Sequence, residues 1–193
     1  MRSAILISIR LLTMLTVITG IAYPLLMTGF AWIAFPERSQ GGLVWKDGAP
    51  VGAVLIGQQF TSSKYFHSRR SAGGYDPMSS GATNFGATSR ALHDTTEALR
   101  ARFAAENSLP STALVPPDML SASGSGLDPE ISPEAALLQV GRVARVRHFS
   151  PDQEAALAGL VQQYTRAPEL GVLGRPRVNV LLLNLALDTM SQQ

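Results

Sequence analysis

The sequence predicts an α+β chain. A single N-terminal transmembrane helix precedes one mixed α/β domain with a small sheet, about three helices and long ordered loops. Three observations carry that expectation. Leu11 to Phe35 contains no charged residue. Two Ser-Pro pairs, Ser132-Pro133 and Ser150-Pro151, each open a segment of helical period. Between them and the apolar run lies Gly57 to Ser89, rich in Gly, Ser and Thr yet holding five aromatic residues.

The apolar run comes first. Roughly 25 residues of helix span about 37 Å, more than the ~30 Å hydrocarbon core of a bilayer. A helix satisfies its own backbone in lipid, and Gly20, Pro24 and Gly29 are tolerated there where a neighbouring helix packs closely. A cleaved secretory signal has a shorter apolar region, and no small-x-small site follows this one. The sequence thus divides into a tail and anchor over 1–36 and a domain over 37–193. Arg2 and Arg10 before the run nearly balance Arg38 and Lys46 after it. With Arg10 abutting the run and the leading tail short, the expected orientation is N-terminus inside and domain outside the cytoplasm.

Removing the anchor leaves enough chain for one core. The formal net charge is only +2 and no dense Lys/Arg run occurs, which argues against nucleic acid as a partner. The chain has no cysteine, so disulfides, Cys-ligated zinc and thiol catalysis are excluded.

Beyond Pro36 and a polar exit, Leu43–Lys46, the turn Asp47-Gly48 and Val51–Ile56 read as a β-hairpin. Val54, Leu55 and Ile56 suit a buried strand. In the coil that follows, Phe60, Tyr65, Phe66, Tyr75 and Phe85 are too many aromatics for a disordered linker; they are expected to pin it down. Tyr65, His67, Arg69 and Ser71 alternate along one side of an extended segment. Asn84 and Gly86 suit positive-φ turns. Arg90 to Glu106 reads as a helix with Ser89 as N-cap and Leu92, Leu99 and Phe103 on one face. Leu114 to Ala122 is extended at best, given Pro116 and Pro117. Helices follow from Pro133 to about Arg147 and from Pro151 to about Thr165, the second opened by a capping box of Ser150 and Gln153. Its buried face is Leu157, Leu160, Val161 and Tyr164. Gly171 to Pro176 turns the chain, and Arg177 to Leu187 reads as a buried strand running into a short helix.

Motifs for chemistry are sparse. Ser123-Gly124-Ser125-Gly126 before a helix has the look of a phosphate cradle. It lacks the Gly-Lys-Ser/Thr ending of a P-loop, and a loop packed against another backbone is the preferred reading. His67, His93 and His148 are scattered without metal-ligand spacing. Gly-x-Ser-x-Gly is absent. Asp128 and Glu130 flank a proline and are better explained by a turn than by acid–base catalysis. Arg142 and Arg145 share a helix face that is read as solvated. No catalytic residue and no metal site is expected.

A set of blocks, in order along the chain, resembles the C subunit of the Kdp-type bacterial potassium-transporting ATPase. They include Tyr23-Pro24-Leu-Leu, Leu55-Ile-Gly-Gln58-Gln-Phe60, Tyr65-Phe-His67-Ser-Arg69 with Ser71-Ala72, and Ser80-Gly-Ala-Thr-Asn84. Further on come Ser121 to Asp128, Ile131-Ser-Pro-Glu-Ala-Ala136, Arg142 to Arg147, Val178-Asn-Val and Leu183 to Asp188. The chain departs from the family pattern at Arg70, where proline is common, and at Ala82 and Phe85, in place of Gly and Leu.

The resemblance implies a non-catalytic subunit of a potassium-uptake pump, single-pass in the bacterial inner membrane. Its partners would be a channel-like potassium-binding subunit, a P-type ATPase subunit and a small single-helix subunit. It implies roles in assembly and in raising the ATPase subunit's affinity for ATP. No firmly bound cofactor is expected; ATP would act through the partner, or weakly at Ser123 to Gly126. An extracytoplasmic domain cannot touch cytoplasmic ATP, so an indirect effect through helix contacts is favoured. Tyr23 and Pro24 in the anchor are candidates for a subunit interface, and the contact surface expected for the channel-like subunit comprises Gln58 to Ser89 and Ser121 to Asp128. Its named members are Gln58, Phe60, Tyr65, His67, Arg69, Ser71, Asn84 and Asp128. The rival reading is a free-standing, membrane-anchored ligand-binding module with the Gly-rich loops as its pocket.

Overall fold

The computed structural model describes residues 2–190, which fall into two compact units, one ending at Val51 and one beginning at Gly52. In the first unit, helix α1 (Arg2–Val17), a wider π turn (Ile18–Ala22) and α2 (Tyr23–Ala34) run on as one apolar span. Helix therefore starts nine residues earlier than the uncharged run, with Arg2 and Arg10 inside it. The π turn has a cause in the sequence. Pro24 offers no N–H to Gly20, and its ring would crowd that carbonyl. The helix widens just before it, and Tyr23 N–H donates to Ile18 O, five residues back. Thr13, Thr19 and Thr28 return their hydroxyls to carbonyls four residues earlier, so these three ask lipid for no partner. A single turn, α3 (Pro36–Ser39), follows.

The hairpin is β1 (Leu43–Lys46) and β2 (Ala49–Ala53). Asp47 and Gly48 both take positive φ, 53° and 78°, the geometry a two-residue hairpin turn demands. Val54–Ile56 does not continue the strand: it forms a turn, with Leu55 and Ile56 exposed. The chain leaves the hairpin because Val54 O accepts from the Asn179 side chain and Gly57 N–H donates to Leu127 O at 2.7 Å.

The second unit has its core between helices. Helix α4 (Arg90–Asn107) matches the expected span, but Ser89 makes no side-chain cap bond. Pro117–Leu120 is one helical turn, α5, rather than extended chain. Proline at the first helical position is compatible with a turn, and Asp118 there accepts from Ser132 N–H and Oγ at 2.7 and 3.1 Å. After β3 (Glu130–Ile131), α6 (Pro133–Val146) starts with Ser132 Oγ accepting from Ala135 N–H. Helix α7 (Pro151–Gln163) carries the expected capping box of Ser150 and Gln153. Then come β4 (Thr165–Arg166), β5 (Arg177–Asn179) and α8 (Val180–Met190).

The three-stranded sheet is antiparallel in the order β3-β5-β4, with Ile131 opposite Val178 and Thr165 opposite Val178. The terminal apolar run is thus mostly helix. Asn179 explains the switch: its side-chain oxygen accepts from Leu182 N–H and caps α8. Fully buried Val143, Leu157, Val161, Val178, Leu183 and Leu187 fill the core, joined by Phe66 from the long coil.

Candidate functional site

The coil from Gly57 to Ser89 has almost no ladder of its own, so its backbone groups need other partners. Residues 63–67 find them in helix side chains. Arg142 of α6 donates through Nη1 to Ser63 O and to Tyr65 O. Arg147 Nε donates to Lys64 O at 2.9 Å. Asn184 of α8 pairs with both sides of Phe66: Phe66 N–H to Oδ1 at 2.8 Å and Nδ2 to Phe66 O at 3.0 Å. Gln139 of α6 does the same for His67, at 2.7 and 3.3 Å. Five successive carbonyls therefore accept hydrogen bonds from four side chains on α6, its C-terminal end and α8. The two amides imitate strand neighbours and thread the coil into the core without a sheet.

Arg142 was expected on a solvated face and is buried instead, 3% exposed, while Arg145 is exposed. Its Nη2 also donates to Gln139 Oε1 at 2.7 Å and its Nε to Asn107 Oδ1 at 3.0 Å. A buried cation needs such a full set of acceptors. Burial pushes the guanidinium down to about 10, against the pull of Glu106 and with the repulsion of Arg145. Burial and the Arg142 cation likewise hold the His67 imidazole below its ordinary 6.5, outweighing the Ser62 carbonyl and Glu106.

The expected surface residues divide among several environments. Tyr65 donates its hydroxyl to Asp188 at 3.1 Å and lies under Arg147 and beside Phe60. Phe66 carries the core contact, whereas Phe85 is exposed and pins nothing. Arg69 meets Asp128 at 2.7 Å, and Ser68 Oγ donates to Gln58 O. Asn84 takes φ +53° as expected, while Gly86 does not have positive φ. Tyr23 and Pro24 stand in the apolar span of the first unit, with Tyr23 exposed.

Ser123 to Gly126 packs against this coil. Ser123 N–H donates to Arg70 O, and Gly81 N–H and Ser80 Oγ donate to Ser125 O. Gly126 N–H turns inward to Ser123 O and Leu127 N–H to Ser125 Oγ. Gly126 needs to be glycine twice over: φ is +71°, and a Cβ there would lie 2.9 Å from Gly81 O. Three amides of this loop are already engaged, and α6 begins only at Pro133. The loop is a backbone-to-backbone splice between two coils.

Between the coil and α4 lies a groove of about 620 Å³. Phe60, Leu99, Phe103 and Met119 supply its apolar wall, and His67, Arg70, Tyr75, Arg102 and Glu106 its polar side. Burial raises the Tyr75 hydroxyl above its ordinary 10.0, and that hydroxyl donates to Arg69 O at 2.5 Å. Arg102 and Glu106 pair at 2.7 Å, with His67 Nδ1 3.7 Å from Glu106.

Sequence reasoning missed Gln139, Arg142, Asn184 and Asp188. The signal was present for three of them. Gln139 and Arg142 interrupt the otherwise apolar face of α6, and Asn184 stands alone in Val180 to Leu187. A polar residue on a buried face must find a partner.

The splice of two coils and the buried polar clamp coincide with the sequence blocks that resembled one family. A family model described as KdpC: K+-transporting ATPase, c chain, matches residues 5–189. The chain belongs to that family. Curated relatives agree along most of the length. A "Potassium-transporting ATPase KdpC subunit" of Rhodopseudomonas palustris (strain BisB5) is 50% identical, covering 94% of each chain. One of Methylobacterium nodulans is 48% identical over 92% of each, and one of Dechloromonas aromatica 47% over 96% of each. One N-terminal helix of the chain is long and apolar enough to span a bilayer, which fits a membrane-anchored subunit of that family.

Proposed function

We propose that the chain is a non-catalytic accessory subunit of an ATP-driven potassium uptake pump. The family match over residues 5–189 is the single observation that carries this reading. On this reading the apolar helix anchors the chain in the bacterial inner membrane, N-terminus in the cytoplasm and the domain outside. The partners are a channel-like potassium-binding subunit, a P-type ATPase subunit and a small single-helix subunit. The spliced coils, Gln58 to Ser89 and Ser121 to Asp128, form the contact surface for the channel-like subunit. Support comes from their construction: the Arg69–Asp128 pair and the Ser123–Arg70 and Gly81–Ser125 bonds hold the two coils in one register. A rigid composite face binds without an ordering cost.

The subunit stabilises the complex and promotes ATP use by its partner indirectly, through helix contacts. The engaged amides of Ser123, Gly126 and Leu127 favour the indirect route over a nucleotide cradle. The groove beside α4 gives the second reading, a ligand-binding module, its specific support.

Two experiments test the proposal. Arg69→Ala with Asp128→Ala is expected to reduce recovery of the assembled pump and potassium uptake; full assembly and uptake would overturn the contact surface. A cysteine at exposed Ser111 in the otherwise cysteine-free chain tests orientation. Labelling of intact cells by an impermeant maleimide is expected. Labelling only after the inner membrane is broken would reverse the topology and reopen direct nucleotide contact.

A further inference from the structure

The loop between β4 and β5 exposes three aliphatic side chains within four residues. Leu170 is 89% exposed, Val172 80% and Leu173 58%. No other segment of the second unit, among the described residues, shows three large exposed apolar side chains so close together. Nothing about the loop is loose. Glu169 and Leu173 exchange two backbone bonds at 2.9 Å, while Gly171 N–H and Val172 N–H turn inward to Pro168 O and Glu169 O. Glu169 is tied to Arg177 at 2.6 Å, and Arg177 to Glu130 at 3.0 Å, which fixes the loop's base to the sheet. Leu170 holds φ +53°, a conformation that disfavours leucine. The fold therefore holds apolar side chains outward in a built turn.

We infer that this turn is a wedge that dips into the headgroup region of an anionic phospholipid bilayer. Arg166 and Arg175, both exposed, stand at the two stems of the apolar tip. Aliphatic tips flanked by arginines match a boundary of acyl chains and phosphates. Three aliphatic side chains fall well short of the ~800 Å² per partner that a stable protein interface buries, so a lipid surface is favoured over a protein one. The inference rests on the anchor proposed above. Residues 35–51 connect the apolar helix to the second unit. At most ~3.5 Å per residue gives a tether under ~60 Å. So tethered, a bilayer is present at high effective concentration.

The test uses the full chain with single cysteines at Leu25, Met78 or Val172, each carrying an environment-sensitive fluorophore. The chain is reconstituted in vesicles containing anionic phospholipid and a lipid-borne quencher, alone and with its partner subunits. Label at Val172 is expected to be quenched at least about twofold, as at Leu25, while Met78 stays unquenched. Adding Leu170→Asp should abolish quenching at Val172, and omitting anionic lipid should weaken it. Quenching at Leu25 without quenching at Val172 would overturn the wedge alone. A blue shift at Val172 that needs the partner subunits and escapes the lipid quencher would assign the tip to protein contact. Loss of quenching at Leu25 would overturn the anchor itself.

Discussion

The two halves of the coil between β2 and α4 are both rich in Gly, Ser and Thr and have different fates. From Gly57 to Tyr75 the chain is threaded into the core, with Phe66 fully buried and the carbonyls of 63–67 taken by Arg142, Arg147, Asn184 and Gln139. From Asp76 to Thr88 it lies mostly exposed, held by turn bonds such as Ser79 N–H to Asp76 O and by the single splice at Ser125. Phe66, with Phe60 and Tyr65 beside it, supplies the apolar contact of the first half. Its hydrogen bonds come from polar side chains more than 70 positions later, placed on helix faces that otherwise bury apolar groups. An irregular segment becomes part of a core when something else supplies its hydrogen bonds.

The largest way to break that contrast is Arg142→Met. It strips Ser63 O, Tyr65 O and Asn107 Oδ1 of a buried donor, and a loss of about 3–5 kcal/mol in unfolding free energy is expected in detergent-solubilised chain. Arg142→Lys should recover only part of it, because an ammonium lacks the fork that reaches several acceptors. Asn184→Leu comes next. It removes both bonds to Phe66 inside the core, at about 2–3 kcal/mol by the same measurement; a loss below 0.5 would contradict the clamp.

A smaller effect sharpens the contrast through pH. His67 titrates below 6.5 in the folded chain. As pH falls through 6.5, the unfolded chain gains a proton that the folded chain still refuses, so stability present above 6.5 is lost on acidification. His67→Gln should flatten the slope of unfolding free energy between about pH 7 and 5 relative to the parent chain. An equal slope would place the titrating group elsewhere. The smallest change is expected in the exposed half: Phe85→Ser should alter stability by less than about 0.5 kcal/mol.

Much of this architecture is legible in the sequence. Ser132-Pro133 and Ser150-Pro151 state where α6 and α7 start, and Asp47-Gly48 states the hairpin turn, because caps and turns are local chemistry. The uncharged run announces the apolar helix, and Pro24 the place where it widens. The clamp was not legible in the same way. Arg142 reads as part of a solvated face until the coil that covers it is placed, and the coil's own sequence names no partner. The terminal run shows a similar limit: its apolarity says buried, but Asn179, acting as a cap, decides that helix takes over after three strand residues. Aromatics alone overstated the order of the coil, since Phe66 enters the core and Phe85 does not.

Hydrogen exchange of the full chain in micelles, read by peptide, tests the central claim most directly. Slow exchange for the peptide covering Tyr65 to His67, comparable with α7, alongside rapid exchange over 76–88, is the predicted result, and Asn184→Leu should abolish the protection at Phe66. Equal, rapid exchange in both halves of the parent chain would contradict the account.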